Sequence, residues 1–200
     1  AAYVNSALTG MLDFDDTWGY PAHVGATVVP PALAVAERVR ASGRDLVAAV
    51  VLGYEVSQRI GNAIKPSWDR RRQVRSMATW QIFGAMAASA HLLKLSQEQV
   101  LWAMGHTGMS APVPSVHKVG LQPEERPFSW LKNNYGWASM GGVLACLLAA
   151  RNFRGNSRIL DGERGFWVMS GSDRCDWEAL TRSTALLDTC RQRDVGVHII

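Results

Sequence analysis

Acidic residues, a threonine and a histidine are concentrated near the start of the chain, in the stretch LDFDDTWGYPAH at residues 12–23. Asp13, Asp16 and Thr17 would share one face if this stretch were helical, because residues three and four positions apart are neighbours on a helix. The glycine and the proline that follow can turn the chain so that His23 returns toward that face. A carboxylate beside a histidine stabilises the protonated ring and fixes its tautomer, which suits general acid–base catalysis. A polar turn whose side chains cap backbone amides explains the same residues, and residue type alone favours this second interpretation.

Two further polar residues lie in sequence contexts that could support binding. Lys132, in FSWLKNNYGWASMGG, lies at the head of an apolar helix, where its charge and the helix dipole could together bind a carboxylate. A surface lysine whose alkyl chain packs on apolar residues explains Lys132 equally well. His106, in AMGHTGMSAP, is a candidate substrate-binding residue, although a core or capping histidine is the more common explanation at a helix end. The spacing of acidic and histidine residues matches no metal-binding motif, so we predict no metal site.

The composition predicts a folded chain. Of its 200 residues, 48% are hydrophobic and 19% are charged, which is enough for a sizeable core. The apolar stretches are too short to cross a bilayer of about 30 Å, and the first residues lack the basic flank and apolar run of a signal peptide. Three scattered cysteines argue against a disulfide framework, and Cys146 lies in an apolar helical pattern typical of a core residue. We therefore predict a cytoplasmic protein that does not bind a membrane.

The formal net charge of +4 is modest, and its clearest local source is the run DRRRQVR at residues 69–75. Such a run is usually a solvated face, and no nucleic-acid-binding motif or aromatic interleaving accompanies it. We therefore predict no nucleic-acid partner, and attraction of small anions is the simpler interpretation of the positive charge.

Helical periodicity continues along most of the chain. Pro31 is predicted in the first turn of a helix that ends at Ser42 and Gly43, and Asp45 is predicted to open a buried helix that Pro66 closes. The pattern also predicts a mid-bundle helix over 76–94, a helix that begins with a capping box at Ser96 and Gln99 and ends at Gly105 and Gly108, a long loop over 110–127 and a final helix over 133–151. No convincing strand is found, so the predicted fold class is all-α.

Several stretches occur together in the order expected for one family. They are LDFDDTW followed by HVG, then VVPPALAVAERVRASGRDLVAAVVLGYEVSQRI, FGAMAASAHLLKLSQEQVLWAMGHTGMSA and GWASMGGVLACLLAARNFRGNSRILDGERGFW. Over about residues 5–170 the chain resembles the MmgE/PrpD family, which includes 2-methylcitrate dehydratase, cis-aconitate decarboxylase and related epimerases. The resemblance implies that residues 1–170 form the family's helical domain without its first helices. Residues 171–200 would be a poorly patterned tail toward a lid domain that this chain lacks.

The resemblance also implies roles for individual residues. His23 would be the acid–base residue, Asp13 would orient it or join in proton transfer, and Thr17 would hydrogen-bond a substrate carboxylate. Lys132 would pair with a substrate carboxylate, and Arg75 stands where the family has a histidine, so a second cation for carboxylate binding is our interpretation. Asp15 and Asp16 are left with capping or supporting roles. Val24, where a proline is usual, is a smaller departure from the family pattern.

The implied activity is lyase chemistry on a small di- or tricarboxylic acid, without a metal or an organic cofactor and in a homodimer. Dehydration of a 2-methylcitrate-like hydroxy acid is the first expectation, with decarboxylation of the cis-aconitate type or epimerisation as alternatives. An alternative of another class is a catalytically inactive helical scaffold, which the substituted position and the absent lid favour.

Overall fold

The computed structural model describes residues 1–11, 14–17, 23–74, 77–112 and 134–181, together with a strand at 196–198. The helices are α1 (Ala2–Thr9), α2 (Val24–Val39), α3 (Gly43–Ala63), α4 (Trp68–Arg71), α5 (Ala78–Leu92), α6 (Gln97–Ser110), α7 (Tyr135–Ala150), α8 (Phe166–Met169) and α9 (Trp177–Thr181). The strands are β1 (Asp15–Thr17) and β2 (Gly196–His198). The all-α fold class is therefore confirmed.

Helix α5 forms the centre of the bundle and packs against α2, α3, α6 and α7. Every residue of α5 except His91 is buried, as its many alanines and glycine predict for a helix approached from several sides. Cys146 on α7 is also fully buried, and its thiol donates to the Met86 carbonyl at 3.2 Å. Burial raises the pKa of this thiol, so the prediction of a core cysteine is confirmed.

Helix α2 begins seven residues before Pro31, so the prediction that this proline occupies a first turn is wrong. Pro31 lacks an N–H, and the Thr27 carbonyl four residues earlier therefore has no helical donor. Ser139 on α7 supplies one instead, because its hydroxyl donates to the Thr27 carbonyl at 3.1 Å. A tertiary contact thus lets the helix continue through both prolines, and the early start places His23 at the N-cap.

The other helix ends agree with the sequence to different degrees. Ser96 and Gln99 form the predicted capping box, with both of its hydrogen bonds. Ser42, predicted to end one helix, instead caps the next, since its hydroxyl accepts from the Asp45 N–H. Helix α6 continues to Ser110, so the predicted end at the glycines is wrong. A Cβ on Gly105 would lie 2.6 Å from the Asn156 carbonyl oxygen, so this glycine serves a close approach between chain segments rather than a helix end.

Two short strands were not predicted. β1 and β2 pair antiparallel, with Asp15 opposite His198 and Thr17 opposite Gly196. Residues 15–17 are therefore extended, and the helical face considered for Asp16 and Thr17 does not form.

Residues 171–181, the first part of the predicted tail, pack on the bundle. The Asp176 N–H donates to the Ala63 carbonyl at 2.7 Å, and α9 contacts α3. Residues 182–195 lie outside the described residues, as does most of the predicted loop over 110–127, so the division at residue 170 stays a prediction. Among the described helices none is long and apolar enough to span a membrane.

Candidate active site

The three side chains of strand β1 lie on two opposite faces of the strand. Successive residues of a strand point in opposite directions, so Asp15 and Thr17 share one face and Asp16 lies on the other. This alternation gives two neighbouring aspartates different partners.

Asp15 contacts His23 directly. Its Oδ1 atom is hydrogen-bonded to the His23 Nδ1 atom, and the two side chains are only 5% and 7% exposed. His23 is held in place from two further sides. It is the N-cap residue of α2, and the Tyr135 ring at the start of α7 lies 6.3 Å from its ring centroid.

This arrangement gives the two nitrogen atoms of the His23 ring different roles. An ionised carboxylate only accepts hydrogen bonds, so the His23 Nδ1–H donates to Asp15. Proton exchange with a substrate then falls to Nε2, and Asp15 stabilises the imidazolium that forms when Nε2 gains a proton. The pair can act as a general acid and a general base.

Two buried polar atoms beside the pair have no hydrogen-bond partner among the described residues. They are Oδ2 of Asp15 and Oγ1 of Thr17. Leaving such an atom unsatisfied costs about 1–3 kcal/mol, so buried polar atoms normally have partners. The Thr17 hydroxyl can donate to a carboxylate oxygen, and Asp15 Oδ2 can accept from a substrate hydroxyl or carboxylic acid. The face of β1 that carries the Asp15–His23 pair is therefore suited to an oxygen-rich ligand.

Asp16, on the opposite face of β1, is hydrogen-bonded to two helices. Its Oδ1 accepts from the Gly25 N–H at 2.8 Å in the first turn of α2, and its Oδ2 accepts from the Tyr54 hydroxyl of α3 at 2.9 Å. Burial raises the pKa of Asp16, although both hydrogen bonds oppose the shift, and burial with the adjacent Asp16 raises the pKa of Tyr54. The capping role expected for Asp16 is observed.

Buried polar side chains continue behind the site and fix α2 relative to α1, α5 and α7. The Thr27 hydroxyl, one turn after His23, donates to the Val24 carbonyl at 3.0 Å and approaches Gln81 Oε1 at 3.4 Å. Ser139, which donates to the Thr27 carbonyl, also shares a hydrogen bond with Ser6. The helix that carries His23 is therefore held by polar contacts as well as by apolar packing.

The structure describes only half of the predicted site residues. His23 and Thr17 both adjoin Asp15, whereas Asp13, Arg75 and Lys132 lie outside the described residues. His106 is hydrogen-bonded through Nε2 to the Phe153 carbonyl at 3.0 Å, and its ring stacks on the Phe153 ring at 5.2 Å. These contacts join α6 to the turn after α7, and no described contact links His106 to His23. Its substrate-binding role stays a prediction.

Sequence reasoning missed two partners. Asp15 was expected only in a supporting role, and Tyr54 was not considered as a partner of Asp16. Strand alternation within residues 15–17 would have paired Asp15 with Thr17 on one face, but three residues are too few to reveal a strand by pattern. In the described part of the chain, no three His, Cys, Asp or Glu side chains are grouped closely enough to hold a metal ion.

Comparisons with known proteins identify a family model and several similar proteins. A family model described as the MmgE/PrpD N-terminal domain matches residues 1–178. Cis-aconitate decarboxylase from Homo sapiens is 30% identical over 174 residues, which cover 83% of this chain and 34% of the human protein. The Mus musculus enzyme of the same name is also 30% identical over 174 residues, covering 83% of this chain and 33% of the mouse protein. The cis-aconitate decarboxylase-like protein oryM from Aspergillus oryzae is 26% identical over 176 residues, covering 82% and 34%. The chain thus spans about a third of the length of these relatives.

Proposed function

We propose that this chain, which belongs to the MmgE/PrpD family, supplies the acid–base half of a lyase site for a small polycarboxylic acid. The observation that carries the proposal is the buried Asp15–His23 pair, with two polar atoms on the same face of β1 that have no hydrogen-bond partner among the described residues. An inert capping turn would explain Asp16, but it would not explain a buried histidine–aspartate pair beside polar atoms for which the described residues supply no partner.

His23 is the proposed proton donor and acceptor, and Asp15 is a positioning residue. Chemistry next to a carboxylate leaves an electron pair on carbon when a proton or carbon dioxide departs, and a positioned acid must later protonate that carbon. His23 Nε2 can deliver or remove this proton, while Asp15 holds the ring tautomer. Thr17 is proposed to hydrogen-bond a substrate carboxylate through its hydroxyl, which has no partner in the part of the chain that the structure describes.

Three further residues are proposed to complete the site from their places in the chain. Asp13 precedes Asp15 by two residues, Arg75 precedes Met77 by two, and Lys132 precedes Tyr135 by three. The described neighbours meet at the site, since Tyr135 lies beside His23 and its hydroxyl contacts the Met77 sulfur at 3.9 Å. This supports the proposal that Arg75 and Lys132 supply cations for substrate carboxylates and that Asp13 assists proton transfer.

A cis-aconitate-like tricarboxylate is the first substrate that we propose, with loss of carbon dioxide as the reaction. The human and mouse relatives are cis-aconitate decarboxylases, and this favours decarboxylation over the dehydration expected first from the sequence. In this reaction the bond from carbon to one carboxylate breaks, its electron pair stays on the substrate, and a proton from His23 quenches the resulting charge. A homodimer in the cytoplasm remains the expected assembly, and sedimentation velocity would test the dimer.

The proposal is tested with a panel of substrates whose conversion is monitored by NMR. The complete open reading frame that contains this chain is expressed and incubated separately with cis-aconitate, citrate and 2-methylcitrate. We expect the cis-aconitate signals to be replaced by those of a dicarboxylate, with release of carbon dioxide. Turnover of only 2-methylcitrate or citrate would contradict decarboxylation and support dehydration as the reaction. Turnover of none of the three acids would favour a non-catalytic helical scaffold.

A further inference from the structure

A cavity lies against α5, and none of its lining residues belongs to the candidate active site. Its volume is about 540 Å³, within the range of small-molecule pockets. Helix α5 forms its floor, where the small side chains of Ala87 and Ala90 leave room, and α3 and α6 form its walls through Leu52 and Met104. This elongated, mostly apolar cavity is called the α5 groove below.

The α5 groove has polar residues at one end only. Apart from His91 and Lys94, all of its lining residues are apolar. The groove runs along α5 from Met86 to the helix end at Leu92, which is about 9 Å at the helical rise per residue, and Lys94 follows two residues later. An apolar channel with basic groups at one end matches a molecule with an aliphatic tail and an anionic head.

A neighbouring cavity of about 460 Å³ extends the basic end of the groove. It shares His91 and Lys94 with the groove and adds Arg40, Ser42 and Asp45. The one acid is Asp45, which accepts from the Ser42 hydroxyl at 2.7 Å; this hydrogen bond and, to a smaller extent, the nearby Lys94 and His91 hold the pKa of the carboxyl below its usual range. Neither Arg40 nor Lys94 lies within ion-pair distance of an acid among the described residues, and these two cations outnumber the single carboxylate of this cavity, so its lining keeps a net positive charge for an anion.

We propose that the α5 groove binds a linear monocarboxylate of about eight to ten carbons, with its alkyl chain along α5 and its carboxylate paired with Lys94 and hydrogen-bonded by His91. Charge complementarity selects this occupant over a neutral one. An apolar helix of a second chain would fill the groove without using the cations at its end. The proposal does not depend on the lyase activity.

Calorimetric titration of the complete protein that contains this chain with hexanoate, octanoate and decanoate, each below its micelle concentration, tests the proposal. We expect one saturable site per chain and an affinity that rises about fourfold for each added methylene that is buried. Octyl glucoside has an uncharged head and an alkyl tail one carbon longer than that of octanoate, and it is nevertheless expected to bind at least about tenfold more weakly than octanoate. No saturable binding, or equal affinity for octyl glucoside and octanoate, would overturn the proposal.

Two pairs of matched variants locate the site. Lys94→Gln is expected to weaken octanoate about tenfold, whereas Lys65→Gln, at an exposed lysine outside the groove, leaves the affinity unchanged. Leu52→Gln is expected to weaken octanoate about fivefold, whereas Leu101→Gln, with the same 39% exposure and outside the groove, does not. Circular dichroism confirms that each variant is folded. Equal losses in a variant and its control would overturn the assignment. The assignment would also be overturned if the protein did not bind octanoate and Leu52→Gln dissociated a dimer, because the groove would then be a protein interface.

Discussion

At the scale of single residues, Asp15 and Asp16 are adjacent in sequence but have different tasks. Asp15 is buried against a histidine, and removing either member of such a pair leaves an uncompensated polar group. Asp16 accepts from a backbone N–H and a tyrosine hydroxyl, which are contacts of a structural carboxylate. Substituting each aspartate by asparagine separates the proposed catalytic contribution from the structural one.

Asp15→Asn is expected to lower kcat by about 10²–10⁴-fold with little change in KM, because the amide no longer fixes the His23 tautomer or stabilises its protonated ring. Asp16→Asn is the matched control, since its amide oxygen can still accept from the Gly25 N–H, and we expect less than about a tenfold change. Steady-state rates against pH measure both variants. A larger kcat loss for Asp16→Asn than for Asp15→Asn would contradict the assignment of roles.

Asp16 should also make stability depend on pH in a defined direction. Its pKa is raised in the folded state, mainly by burial, so the folded chain binds this proton more tightly than the unfolded chain. The stabilisation is complete below the unfolded pKa of 3.8 and is lost as pH rises through the raised folded pKa. The free energy of unfolding of the wild type minus that of Asp16→Asn, measured in urea at several pH values, is expected to fall across this window. A difference that rises with pH there would show that hydrogen bonding outweighs burial.

At the scale of elements, the start of α2 decides where His23 lies. Two prolines inside the helix would ordinarily end it, and the Ser139 hydroxyl replaces one of the missing backbone donors. Helix α7 therefore stabilises the first turns of α2, in addition to placing Tyr135 beside His23.

Ser139→Ala is expected to lower the free energy of unfolding by about 1–3 kcal/mol, because the buried Thr27 carbonyl loses its donor. In a Pro31→Ala background the residue at position 31 regains an N–H for that carbonyl, and the cost of Ser139→Ala should fall by about 1 kcal/mol or more. Urea unfolding of the double-mutant cycle measures the coupling. Ser6→Ala is the control, because the Ser6 hydroxyl is hydrogen-bonded to Ser139 and not to the Thr27 carbonyl. Equal costs of Ser139→Ala in both backgrounds would contradict this explanation.

Gly25→Ala tests the contact between β1, α2 and α3. A Cβ there would lie 2.4 Å from Asp16 Oδ1 and 2.8 Å from the Tyr54 hydroxyl oxygen, so the helix cap must move. We expect a loss of about 1–3 kcal/mol in the free energy of unfolding. Gly43→Ala is the matched control in the first turn of α3, where an added Cβ meets nothing within 4 Å, and it should be neutral or stabilising by up to about 1 kcal/mol. A Gly25→Ala variant as stable as Gly43→Ala would mean that the Asp16 cap contributes little.

At the scale of the whole molecule, local patterns predicted the helices and missed the contacts between distant segments. The capping box at Ser96 and the central burial of α5 follow from residue types within one turn or one helix. The β1–β2 pairing joins segments about 180 residues apart, and the start of α2 depends on Ser139 of α7. Neither contact leaves a signal in the surrounding sequence, because each partner is an ordinary residue in its own segment.

The candidate site was predictable to a similar extent. His23 and Thr17 were selected by the family resemblance, and the structure places both next to Asp15. Asp15 itself was missed as the contact of His23, because its position opposite the histidine depends on the extended conformation of a three-residue strand. Asp13, Arg75 and Lys132 stay predictions, since they lie outside the described residues.

The most direct test of the central claim is the turnover number of His23→Gln relative to the wild type, in the complete open reading frame and on the substrate that the NMR panel identifies. Glutamine keeps a polar side chain at the N-cap but cannot exchange a proton near neutral pH. If the Asp15–His23 pair carries the proton transfer, kcat falls by about 10²–10⁴-fold while circular dichroism and the unfolding midpoint stay close to wild type. A folded His23→Gln variant that retains kcat within about threefold of the wild type would contradict the role of this pair in general acid–base catalysis.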